Sequence, residues 1–165
     1  MNTEFTLSNR TLTLIRYPAK HQHKSLQAWD SADELLIEHI GQELPALSGS
    51  QQPWILFNDD FGALGCWFAE EQPVWVSDSK IAELSFKENL TTNQLPDVPM
   101  QDCLAPLPDS PTLVVIKIPR TLALLESQLL ALRKVAGPQT VIVAGAKVKT
   151  VTRSVLALFE KLIGP

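Results

Sequence analysis

WILFNDDFGALGC (Trp54–Cys66) holds three signals in a short space. Trp54–Phe57 is an apolar run with the length and composition of a strand covered on both faces. Asn58, Asp59 and Asp60 end it, and Gly62 and Gly65 punctuate a turn into a short apolar helix. Such a turn can bring bare backbone and a helix N-terminus close to a ligand. Here the glycine pattern is incomplete. With Gly62 as the first glycine of a G-x-G-x-G turn, Leu64 and Cys66 take the next two glycine positions. A leucine there is expected to fill the space a ligand needs. The favoured reading is a tight strand-to-helix turn with no ligand.

Outward from this stretch, strands and helices alternate. PVWVS is a strand and SKIAELSFKENL an amphipathic helix. A proline-rich loop follows, with one short strand near Met100–Cys103. TLVVIKI is a strand and TLALLESQLLALRKVAG a helix closed by Gly137 and Pro138. QTVIVAGAK is a strand, and VKTVTRSVLALFEKLIGP a helix ending at Gly164. The strands are apolar throughout, so the expected fold is α/β, a doubly wound, mostly parallel sheet over residues 53–165. Residues 1–50 read as an extension. It has a strand at Thr11–Tyr17 and a helix from about Ser31 to Ile40, with Ser31 and Glu34 in capping-box spacing and Gly41 as the stop.

The 165 residues suffice for one domain with a full core. Hydrophobic residues at 45% and charged residues at 19% exclude a disordered chain. No apolar run approaches the roughly 20 residues of a membrane span. MNTEFTLSNR lacks a signal pattern. Cys66 and Cys103 lack metal-ligand spacing, and His21 and His23 lack a third ligand, so no metal is expected. Together these favour the cytoplasm with reduced thiols. Net charge is -4, but from Leu113 onward eight bases face two acids, a surplus of +6. The preceding residues hold six bases and sixteen acids. That asymmetry points to an anionic partner, unless the bases are only solvated helix faces.

In this fold class ligands bind at the carboxyl ends of the strands. Asp60 and Asp78 are the polar candidates there. Asp78 either accepts from a ribose or caps the next helix; Asp102 is a weaker candidate. Lys117 and Arg120, with Lys147, Lys149 and Arg153, are expected to converge on the other side of that edge as an anion-facing surface. Arg133 and Lys134 end a helix, where the dipole alone favours cations. The four tryptophans read as core.

The order of acid, glycine turn, acid and proline-containing tetrapeptide resembles a class I S-adenosylmethionine-dependent methyltransferase. The segments LTLIRYPA, LQAWDSADELL, NDDFGALGC, DSKIAELSFKENL, IKIPRTLALLESQLLALRKV and VIVAGAKVKTV run from near the start to the end. Together they resemble the N-terminal domain of the two-domain bacterial ribosomal RNA guanine-N2 methyltransferases, more nearly those of the large subunit (23S rRNA). The resemblance implies a Rossmann-like domain with a degenerate cofactor site at Asp60, Gly62, Leu64, Gly65 and Asp78. No cofactor is expected in this domain, and S-adenosylmethionine in the catalytic one. It implies work in rRNA recognition and in supporting that C-terminal catalytic domain. The tetrapeptide corresponding to Asn-Pro-Pro-Phe is Lys117-Ile118-Pro119-Arg120. Asparagine accepts from the guanine amine and the aromatic stacks on the base, whereas lysine only donates. The catalytic chemistry is therefore expected to be absent. The resemblance also implies that the fold lacks its last two strands and that the chain is part of a longer one. Retained nucleotide binding through Asp60 and Asp78, or a purely structural role, are the alternatives.

Overall fold

The apolar runs become a five-stranded parallel sheet in the computed structural model, which describes residues 4–7, 10–14, 29, 31–43, 53–102, 105–109, 111–119, 121–137, 140–145 and 153–163. Its strands are β3 (Trp54–Phe57), β4 (Val74–Val76), β5 (Met100–Gln101), β6 (Leu113–Lys117) and β7 (Val141–Gly145), in the order β5-β4-β3-β6-β7. Alternate residues of the central strands supply two separate cores. Trp54, Leu56, Trp75, Leu113 and Val115 face one; Ile55, Phe57, Val76, Val114 and Ile116 face the other. Burial on both faces is why these runs show no polar alternation.

The first core is closed by α1 (Ser31–Glu43), α2 (Ala63–Trp67) and α3 (Lys80–Thr92), the second by α4 (Leu122–Val135) and α5 (Arg153–Leu162). Ser79 caps α3 by accepting from the Ala82 amide at 3.1 Å, and Thr121 caps α4 through the Leu124 amide. Leu125, Leu129 and Leu132 form the buried stripe of α4, at i, i+4 and i+7. Truncating any one to alanine would cost about 2–5 kcal/mol.

The N-terminal segment departs from expectation. A strand missed in the sequence, β1 (Glu4–Leu7), pairs antiparallel with β2 (Arg10–Thr13), which starts and ends earlier than expected. The partners Phe5 and Leu12 are both buried, and Phe5 lies 5.0 Å from Trp29 and 5.5 Å from Trp67 between ring centroids. At the far end, the Asn93 side chain accepts from the Thr13 amide at 2.8 Å and donates to its carbonyl at 2.7 Å, standing in for a neighbouring strand. α1 runs past Gly41 to Glu43. It is built into the first core through Leu36, Ile37 and Ile40, rather than appended to it.

Candidate functional site: the carboxyl edge of the sheet

The strand order reverses between β3 and β6, where crossovers leave to opposite faces and a crevice opens at the carboxyl ends. Asn58, directly after β3, adopts φ +65°, a left-handed conformation asparagine tolerates better than most residues. Its side-chain amide donates to the Lys117 carbonyl at 2.9 Å and to Gln128 Oε1 at 2.8 Å, and accepts from Gln128 Nε2 at 2.8 Å. Gln128 is buried on α4. One reciprocal amide pair thus ties both central strands to a helix.

The next residue turns inward. Asp59 is buried and accepts three hydrogen bonds: from the Leu64 amide at 3.1 Å, the Gly65 amide at 2.7 Å and the Trp75 indole at 3.0 Å. The first amides of α2, the groups through which a helix start holds an anion, are therefore engaged by the protein's own carboxylate. Burial raises the Asp59 pKa above its ordinary value, opposed by the Gly65 amide, the Lys117 charge, the Trp75 indole and the Leu64 amide. In the sequence Asp59 is one of two adjacent acids that end the strand; the structure turns it into the interior.

Lys117 closes the crevice. Expected on a basic surface, it is only 6% exposed, with Nζ 3.0 Å from Asp33 of α1 and 3.1 Å from Asp60. Asp33 is itself buried, whereas the Asp60 side chain is 60% exposed. A lysine cannot be buried charged without such partners. It has no place in a solvent-facing cationic surface.

The glycine turn is explained by packing. Gly62 has φ +94°, and a β-carbon there would meet Phe86 Cα at 2.8 Å. A β-carbon at Gly65 would collide with the Phe86 ring. Both glycines let α2 lie directly on α3. Leu64 and Cys66 are fully buried in the first core. Burial, and then the Asp59 charge, push the Cys66 thiol well above its ordinary pKa.

At the ends of β4 and β5 the edge is open. A cleft of about 470 Å³ is lined by Trp75, Ser77, Asp78, Ser79, Gln101 and Asp102 among others. Asp78 is exposed there, and Ser79, not Asp78, caps α3. Asp102 accepts from the Ala105 amide at 3.0 Å within the prolyl loop. Ile118 and Pro119 are half-buried after β6, and Arg153 is exposed at the start of α5. Arg120, Lys147, Lys149, Cys103, His21 and His23 lie outside the described residues. The sequence pattern gave no sign of Asp33, Phe86 or the Asn58–Gln128 pair.

A family model described as RLMG N-terminal domain matches residues 2–165. The chain belongs to that family. Ribosomal RNA large subunit methyltransferase G of Alteromonas mediterranea is 49% identical over 189 residues, covering 100% of this chain and 46% of the relative. Its counterpart in Cronobacter sakazakii is 51% identical over 160 residues, covering 96% and 41%. The chain thus spans a little under half the length of these relatives. Among solved structures, the putative methyltransferase yhhF from Escherichia coli gives a TM-score of 0.53 at 17% identity, over 78% of this chain and 68% of that one. The glycopeptide N-methyltransferase MtfA gives 0.51 at 13%, over 68% and 52%. Sheet order and these likenesses give the RLMG N-terminal domain a Rossmann-like class I methyltransferase fold. In this RLMG N-terminal domain the residues at the fold's switch point bond to one another. Among the described residues no helix is long and apolar enough to cross a membrane, and no group of three or more His, Cys, Asp or Glu is placed to hold a metal.

Proposed function

We propose that this domain is the non-catalytic, substrate-recognising part of an S-adenosylmethionine-dependent rRNA guanine-N2 methyltransferase that modifies 23S rRNA in the cytoplasm. The observation that carries the reading is Lys117, buried between Asp33 and Asp60 where the resemblance calls for an acceptor asparagine. An ammonium, here paired with two carboxylates, has no lone pair to accept from a guanine amine. The glycine turn fits S-adenosylmethionine poorly for a related reason: its amides serve Asp59 and its glycines serve Phe86. Methyl transfer then belongs to the remainder of the longer protein, the catalytic domain that this one supports.

Recognition of RNA draws on the charge surplus after Leu113. Arg120, Lys147, Lys149 and Arg153 are its contact residues; Lys117 leaves that set because its charge is paired internally. The test is RNA affinity as a function of salt for the wild type and for Lys147→Glu with Lys149→Glu. The account expects a steep salt dependence and a clear drop in the double variant. Unchanged affinity would remove these lysines from the contact. One observation favours a second reading: the open cleft at Asp78 and Asp102 has acceptors suited to a nucleoside. Nucleoside binding there would be abolished by Asp78→Ala while the RNA affinity stays.

A further inference from the structure

Every described base outside α4 and α5 is engaged by the protein itself. The Arg10 guanidinium lies 4.8 Å over the Trp67 ring and donates to the Trp67 carbonyl at 2.6 Å. Lys80 and Lys87 both pair with Glu83 at 3.2 Å. Lys117 is held by Asp33 and Asp60. Arg133 and Lys134 on α4, with Arg153 and Lys161 on α5, are exposed and make no ion pair among the described residues.

The fold gathers these four onto one layer. β6 and β7 are parallel neighbours, and α4 and α5, which follow them, pack side by side on the same face. The two helices therefore point the same way, and Arg133, Lys134 and Lys161, in their last turns, lie toward the same end of the layer. Arg153 opens α5 eight residues before Lys161, about 12 Å away along the axis. The helix dipole accounts for cations in the last turns but opposes Arg153, whose turn contains no acid. These two helices hold four bases and two acids; α1 and α3 on the opposite face hold two bases and six acids.

We propose that the outer surface of the α4–α5 layer, through Arg133, Lys134, Arg153 and Lys161, meets the sugar-phosphate backbone of RNA. This rests on the RNA-recognition reading above and extends its contact face away from the crowded acids of the switch point. Backbone phosphates spaced along a strand suit cations at both ends of a layer this long, whereas a compact anion would engage one end.

The test measures binding of the 165-residue chain to an unmodified large-subunit rRNA transcript across a salt series. Arg133→Glu with Lys134→Glu and Lys161→Glu is expected to weaken binding at least about tenfold at roughly physiological salt. The slope of log affinity against log salt should become shallower by about 2 to 3, the counterions of three phosphate contacts. The corresponding Gln variants, which conserve shape, should fall between. Lys80→Glu with Lys87→Glu, on the opposite layer, should stay near wild type. Wild-type binding that the α4–α5 variants leave intact, or that the α3 control weakens equally, overturns the assignment and leaves the RNA reading standing. A wild-type chain that binds no RNA overturns the RNA reading, and this surface with it.

Discussion

Lys117 Nζ lies 3.0 Å from the carboxylate of Asp33, joining the end of a central strand to a helix 84 residues earlier, with both side chains buried. The pair closes the crevice where this fold class takes its ligand and pins α1 to the sheet. Lys117→Met is expected to destabilise by about 3–5 kcal/mol, because it removes the cation beside the buried Asp33 carboxylate. Lys117→Met with Asp33→Asn should cost much less than the sum of the single changes. Asp60→Asn, on the exposed partner, should cost no more than about 1 kcal/mol. A double-mutant cycle by urea denaturation checks all three. Additive single changes would show that the pair does not couple the two elements.

The glycine turn gives a second test. If Gly62 and Gly65 persist because α2 lies on Phe86, alanine at either position lowers stability. Gly65→Ala should cost about 1–3 kcal/mol by overpacking, and Phe86→Leu should relieve part of it. Gly62→Ala should cost more and resist that rescue, since it meets the Phe86 backbone and holds φ at +94°. Thermal denaturation of the four variants reads the pattern. Full stability in both alanine variants would contradict the packing explanation.

Asp59 should leave a signature in pH. Burial holds its native pKa above the ordinary 3.8. The native state therefore binds this proton more tightly than the unfolded chain. The carboxyl's contribution is complete below the unfolded value and declines as pH rises through the native one. Asp59→Asn does not titrate, and its amide turns a donor toward one of three N–H groups, costing about 1–3 kcal/mol. The stability gap between wild type and Asp59→Asn should be widest below about pH 4 and narrow toward neutrality. A gap that widens with pH would mean that the three donors and Lys117 outweigh burial.

Cys66 is buried and its thiol pKa is raised, so the native protein should shield it from alkylation. In a Cys103→Ser background, iodoacetamide should label Cys66 only as fast as the protein opens. Mass spectrometry with and without denaturant measures this. Rapid native labelling would contradict the placement of α2 in the core.

Much of the fold was legible because its strands are buried on both faces: Trp54–Phe57 and Leu113–Ile116 admit no polar residue. α3 and α4 were legible from their apolar stripes, although the cap of α3 is Ser79 and not Asp78. The switch point was not. Asp59 and Asp60 are adjacent acids, and nothing local tells which turns inward; that depends on the left-handed backbone of Asn58. Lys117 after an apolar strand read as an edge cation because its partner Asp33 belongs to a helix that looked like an appendage. Gly62 and Gly65 read as a tight turn without a ligand, but the residue that requires them, Phe86, lies on α3 and gave no local sign of it. Long-range pairing decided each of these, and local pattern does not carry it. The expected basic edge fared unevenly. Arg153 is exposed at the start of α5, Lys117 is internal, and Arg120, Lys147 and Lys149 fall outside the described residues.

The central claim is that this switch point is closed by the protein's own groups and takes no cofactor. Isothermal titration of S-adenosylmethionine into the 165-residue chain tests it most directly. The account predicts no binding heat up to millimolar ligand, in the wild type and in Asp78→Ala alike. A saturable, one-to-one heat with micromolar affinity would contradict it.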